Sequence, residues 1–314
     1  MDLILGAYPI EPDDPGQRRR LFELLGASGL YGGLELPYYS TGGIPWPEGA
    51  PRDWRAVVTA IPGTMNRMGT DPVFGLASED AEGRARAIDF AAGIRDHVAA
   101  VAAAGPLPVA VELHSAPRAG GCRDALAESL TLLAAWDWSG AKLVVEHCDA
   151  PRPSWAPEKG FLELDDEITA VAAVAAAART RLGITINWAR SAIEGRNPDT
   201  AVRHIESARA AGILSGVMFS GCSPVATDFG YPWIDAHLPA REVEGAPNSS
   251  LLTADRIRES IVAAGPVDYL GLKIALGPAS LGVEDRIARL ATMAKDITDS
   301  VTARNDKLIQ PIDD

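Results

Sequence analysis

Leu143–His147 reads LVVEH and Ile184–Trp188 reads ITINW, with the apolar-periodic stretch Asp165–Arg181 between them. Two β-rich runs joined by a helix-length segment form a β–α–β unit, a connection that makes its strands parallel. The unit recurs along the chain. Upstream strands are expected at Leu3–Tyr8, Gly32–Pro37, Ala56–Ile61 and Val109–His114, and downstream ones at Leu214–Ser220 and Tyr269–Ala275. Helices are expected at Gln17–Gly26, Glu79–Ala104 with Ser78 as N-cap, Arg123–Trp138, Asp199–Ala211, Ala254–Ala264 and Val283–Thr302. Eight short strands separated by helices outline a single (β/α)8 TIM barrel over residues 1–314, with an open doubly wound sheet as the alternative. The pattern is irregular after strand two, where the Gly/Pro-rich stretch Tyr38–Asp53 leaves no room for a helix. Long loops are expected after strands three and seven, at Pro62–Ser78 and Gly221–Leu252. Both fall at the C-terminal ends of strands, where barrel active sites are built.

Composition narrows the function classes. The formal charge is −13, from 42 acidic and 29 basic residues, and the longest basic run is Arg18-Arg19-Arg20. That balance argues against a nucleic-acid partner, whose phosphates call for Lys and Arg. Cys122, Cys148 and Cys222 form no CxxC pair and suggest no disulfide framework. The start, Met1–Gly6, lacks a basic region and a long apolar segment, and the longest apolar run, Ala170–Ala178, is far short of the ~20 residues of a membrane span. A cytoplasmic protein without a membrane partner is expected, and a homo-oligomer stays open.

Strand side chains alternate in direction, which places polar residues at the ends of their strands on one face. Glu35, Glu112 with His114, Glu146, Asn187 and Lys273 all occupy such positions. Buried charges need partners, and one barrel mouth would supply them. His147, next to Glu146, is expected to point the opposite way as a core histidine, while His97 and His204 lie mid-helix. Tyr38, Tyr39, Trp46, Tyr231 and Trp233 lie in loops at the expected mouth, where aromatics either stack on a sugar or cap the barrel.

The runs LVVEHCD (Leu143–Asp149), ITINWAR (Ile184–Arg190) and Asp235-Ala236-His237-Leu238-Pro239 resemble those of xylose isomerase-like TIM barrels. That superfamily includes sugar isomerases, ketose epimerases, inosose dehydratases and endonuclease IV, commonly with Mn, Mg, Co or Zn at the mouth. More narrowly, the whole chain is similar to an uncharacterised bacterial branch, domain-of-unknown-function family 4862. The resemblance implies that Glu146 matches the metal-binding, often catalytic glutamate of strand five. His114 matches a histidine after strand four, and Asp235 and His237 match an Asp-x-His in the loop after strand seven. Asn187 stands where the pattern has Asp, Arg190 where it has His, and Lys273 where it has a glutamate ligand and base. Hard cations need anionic oxygen ligands, so no metal is expected at the ancestral position. Instead the Lys273 ammonium is expected to stand in for the cation and to pair with Glu146. A displaced divalent site (Mn, Zn, Co or Mg) on Glu146, His114, Asp235 and His237 is the alternative.

The resulting expectation is an enzyme of sugar metabolism, an isomerase, epimerase or lyase that abstracts a proton α to a carbonyl of a small polyhydroxy or keto-sugar. Glu146 would be the base, Lys273 the electrophile or a Schiff-base amine, and His114 or His237 the proton donor. Glu35, Glu112, Asn187, Arg190, Asp235 and Trp233 would bind substrate, with Arg190 holding a carboxylate or phosphate. A barrel that binds a sugar or a partner without turnover is the second reading.

Overall fold

The computed structural model describes residues 3–40, 43–178 and 181–309. Eight parallel strands, β1 (Leu3–Gly6), β2 (Gly33–Pro37), β3 (Arg55–Thr59), β4 (Leu107–Leu113), β5 (Lys142–His147), β6 (Leu182–Asn187), β7 (Leu214–Phe219) and β8 (Tyr269–Lys273), close into a barrel in sequence order. β8 pairs with β1 through the register Leu3↔Leu270 to Gly6↔Lys273. This is the expected TIM barrel, and the doubly wound alternative is set aside. The strands match their expected positions to within two residues at each end; β1 and β8 stop two short of the expected Tyr8 and Ala275.

The helices are α1 (Pro15–Ser28), α2 (Ile61–Met68), α3 (Ala81–Ala104), α4 (Arg123–Ala134), α5 (Leu164–Ala178), α6 (Trp188–Gly195), α7 (Asp199–Ala210), α8 (Ala254–Ala264) and α9 (Val283–Ile309). No helix separates β2 from β3 among the described residues. The expected loop after strand three begins with α2, and α6 follows β6 without a break. The N-cap of α3 is Asp80 rather than Ser78, its Oδ1 accepting from the Gly83 N–H at 2.7 Å. Of the expected helix to Arg181, Arg179 and Thr180 lie outside the described residues, as do Met1 and Asp2 of the chain start and Thr41 and Gly42 of the loop after β2.

The main core lies between the barrel and its helices, while a smaller apolar plug of Ile4, Val57, Ala110, Val144, Met218 and Tyr269 fills the barrel. Tyr269 carries a hydroxyl into this plug and donates it to Glu112 Oε1 at 2.9 Å. Above the plug the inward positions become polar. Gly6 makes room there, since a Cβ on it would lie 2.4 Å from Glu35 Oε2 and 3.0 Å from Lys273 Cβ. No described helix is long and apolar enough to cross a membrane.

Candidate functional site

Glu35, Glu112, Glu146, Asn187 and Lys273 project from β2, β4, β5, β6 and β8 into the C-terminal end of the barrel, with His114 just past β4. All are buried. Lys273 Nζ donates to Glu35 Oε1 at 2.7 Å and lies 3.8 Å from Glu146 Oε1. The expected Lys273–Glu146 pair forms, but Glu35 is the nearer partner: the missing Cβ of Gly6 lets the Glu35 carboxylate settle beside the lysine stem.

Glu146 is the most crowded group. Its Oε1 accepts from Asn187 Nδ2 at 3.1 Å, and its Oε2 faces His114 Nε2 at 2.9 Å and Arg190 Nη1 at 2.6 Å. Burial alone pushes its carboxyl up, but Arg190, Lys273 and His114 outweigh burial and hold it well below the usual carboxylate range. Burial likewise works against the Lys273 ammonium, and Glu35, Tyr8 and Glu146 overcome it, so the lysine stays charged. Glu112 has no such cation in contact. Burial and the neighbouring Glu146 and Glu35 push it well above the carboxylate range, so it holds its proton. Burial lowers His114 to about 4, against the pull of Glu146. A neutral imidazole facing an ionised carboxylate donates from Nε2, leaving Nδ1 as a buried acceptor with no partner.

Arg190, on α6, bridges Glu146 and Asp235, its Nε reaching Asp235 Oδ2 at 3.1 Å. Lys159 Nζ meets the same oxygen at 2.9 Å. Burial raises the Asp235 carboxyl, but Lys159, Arg190 and His237 bring it well below its ordinary value. Arg190 is thus committed to two carboxylates of its own chain, which leaves it poorly placed to hold a substrate anion. His237 Nδ1 lies 3.4 Å from Asp235 Oδ1, and its ring meets Tyr8 edge-on at 6.3 Å. The Tyr8 ring in turn covers Lys273 Nζ, 5.7 Å from its centroid. The loops after β1, β5 and β7 therefore roof the cluster.

The aromatic expectation is redrawn. Trp233 turns toward Arg196, whose guanidinium lies 4.9 Å from the centroid of its ring. Tyr38 and Trp46 are buried, Tyr38 against Phe90 and His97. Tyr231 is exposed and donates to Glu158 Oε1 at 2.8 Å. Tyr8 and Lys159 are the mouth residues that sequence reasoning missed. Tyr8 lies two residues past the end of β1, a usable signal, whereas Lys159 sits in a loop whose folding no periodicity announces.

The residues do not fit a metal at the ancestral position. Oxygens of Glu35, Glu112 and Glu146 come within 4.8 Å of one another, but the Lys273 ammonium stands on two of these carboxylates. The displaced set fails too, because the Arg190 guanidinium stands between Glu146 with His114 and Asp235 with His237.

His147 points outward from β5, away from Glu146. Its Nδ1 meets Glu167 Oε2 at 2.7 Å and its Nε2 meets Glu194 Oε2 at 3.0 Å. Burial would lower this imidazole, but Glu167 and Glu194 raise it to about 10.

A closed ring of eight parallel strands with charged side chains gathered at their C-terminal ends defines a TIM barrel. A solved xylose isomerase domain containing protein of Salmonella typhimurium LT2 shares the fold, with a TM-score of 0.55, 10% identity, and coverage of 95% of this chain and 97% of that one. Within that class the chain belongs to the family described as "Domain of unknown function (DUF4862)", whose profile matches residues 4–289. It is 35% identical over 302 residues to an uncharacterized protein of Salmonella typhimurium strain LT2, covering 90% of this chain and 93% of the relative.

Proposed function

We propose that the chain is an enzyme acting on a small polyhydroxy or keto-sugar by moving a proton α to a carbonyl, in the manner of an isomerase, epimerase or lyase. The observation that carries this reading is the buried Lys273 ammonium, 2.7 Å from Glu35 and 3.8 Å from Glu146 at the ends of barrel strands. A fixed positive charge there polarises a carbonyl oxygen and stabilises an enediolate. Glu146 is a poor base, since both its oxygens already face cations or N–H donors. Among the described residues Glu35 Oε2 has no hydrogen-bond partner, which makes it the better candidate to accept the substrate proton. Glu112 holds a proton nearby, and its Oε2 is likewise free. His114 positions Glu146. His237, at the roof beside Tyr8, is the remaining candidate donor. Substrate entry requires the roof loops to open.

Incubating the protein with a panel of aldo- and keto-sugars in D2O, followed by NMR, tests this. The expected result is deuterium at the carbon α to the carbonyl of one substrate, slowed by roughly 100-fold or more in Glu35→Gln. A ligand that raises the melting temperature but shows no exchange would establish the non-catalytic sugar-binding reading instead. Neither stabilisation nor exchange across the panel would remove the carbohydrate assignment.

A further inference from the structure

We propose that His147, Glu194 and His204 form a site for a divalent cation of the zinc class, buried between β5, α6 and α7 and separate from the barrel mouth. One ligand atom from each residue lies within 4.8 Å of the other two. Two imidazoles and one carboxylate are a donor set that first-row divalent ions such as Zn(II) and Co(II) favour.

The arrangement around those atoms carries the inference further than their proximity. Both histidines aim Nε2 at the same carboxylate, His147 at 3.0 Å from Glu194 Oε2 and His204 at 3.6 Å from Glu194 Oε1. Both are fixed from behind at Nδ1. Glu167 Oε2 holds His147 at 2.7 Å, and Ser191 Oγ holds His204 at 3.0 Å. Glu167 is itself held by the Ser115 hydroxyl. Outer partners that orient each imidazole through its second nitrogen are what metal-binding histidines require.

Arg152 also meets Glu194, at Oε1, and swings away from it to admit the ion. The route is open, because the Arg152 side chain is 32% exposed and that of His204 13%. Glu194 also accepts the Ala150 N–H at 2.9 Å, which keeps its carboxylate in place.

The test uses the full chain, stripped with a chelator and titrated with Zn(II) by calorimetry and with Co(II) by visible absorption. The expected outcome is one equivalent bound, with Co(II) bands of a low-symmetry nitrogen and oxygen site. Binding should weaken by at least roughly tenfold in both His204→Ala and His204→Gln. It should tighten in Arg152→Ala, which removes the competing cation. The proposal is overturned if the chain binds neither ion, or if the His204 variants bind as well as the parent.

Discussion

At the residue scale, the period-two alternation of strand side chains was enough to gather Glu35, Glu112, Glu146, Asn187 and Lys273 at one barrel end. It could not say which acid Lys273 would choose, because that choice depends on a missing Cβ on the neighbouring strand, at Gly6. The pairing makes a prediction. Lys273→Met or Glu35→Gln alone removes one member of a buried ion pair and should destabilise by about 3–5 kcal/mol. Lys273→Met with Glu35→Gln should recover part of that loss, because no charge of the pair is then left alone. Urea denaturation of the three variants measures the coupling, and losses that simply add would contradict it. The same pairing keeps Lys273 charged, so borohydride in the presence of a keto-sugar should trap no adduct on this lysine. His147 gives a pH prediction. Its imidazole rises from an ordinary ~6.5 to about 10 on folding, after Glu167 and Glu194 overcome burial. The folded state then binds more protons than the unfolded one between these values. The stabilisation is complete below pH ~6.5 and is lost as pH rises toward 10. His147→Gln should flatten that alkaline decline in chemical-denaturation stability.

At the element scale, the long strand-following helices were legible and the two short ones were not. α2 opens with Ile61-Pro62-Gly63, and Gly63 has no Cβ because one would lie 2.7 Å from the Tyr38 carbonyl oxygen. A Pro-Gly pair reads locally as a turn, and only packing under the loop after β2 makes it helical. α6 starts at Trp188 directly after β6, capped by the Asn187 side chain, so its first residue was absorbed into the expected strand. The cost of missing α6 was functional, since Arg190 and Glu194 both lie on it. The loop after β7 shows how such an element is tied down. Asp235 binds Arg190 from α6 and Lys159 from the loop after β5, so one carboxylate joins two loops and a helix. Asp235→Ala should leave both cations without this partner and loosen the roof. Limited proteolysis should then cut within residues 221–252 several times faster than in the parent. An unchanged cleavage pattern would mean that the loop is held by its backbone contacts, such as the Gly221–Leu238 pairing, and not by this carboxylate.

At the scale of the whole molecule, the barrel was legible because eight strand–helix units follow from hydrophobic period and turn chemistry, and parallel strands joined this way close in order. Where the last helix ends was not, because α9 runs to Ile309, beyond the expected Thr302, and Ala303, Asn305 and Asp306 just past that point are exposed, so no buried stripe marks the continuation. That difference separates the part of α9 that holds the fold from the part that does not. Val283, Leu290, Met293, Ala294 and Ile297 are buried, and α9 packs on α1 and α8 across the seam where β8 meets β1. At about 1.5–3 kcal/mol for each large side chain, removing this face forfeits on the order of 10 kcal/mol. That is comparable to the whole stability of a typical protein, about 5–15 kcal/mol. It also strips α1 and α8 of a packing partner. A chain ending at Gly282 should therefore lose its cooperative thermal transition and bind a hydrophobic dye. A chain ending at Thr302 keeps every one of those five buried contacts and loses chiefly the Arg304 bond to the Gly265 carbonyl, so it should melt cooperatively within a few degrees of the parent. Cooperative melting of the shorter chain would show that the ring of strands closes without α9.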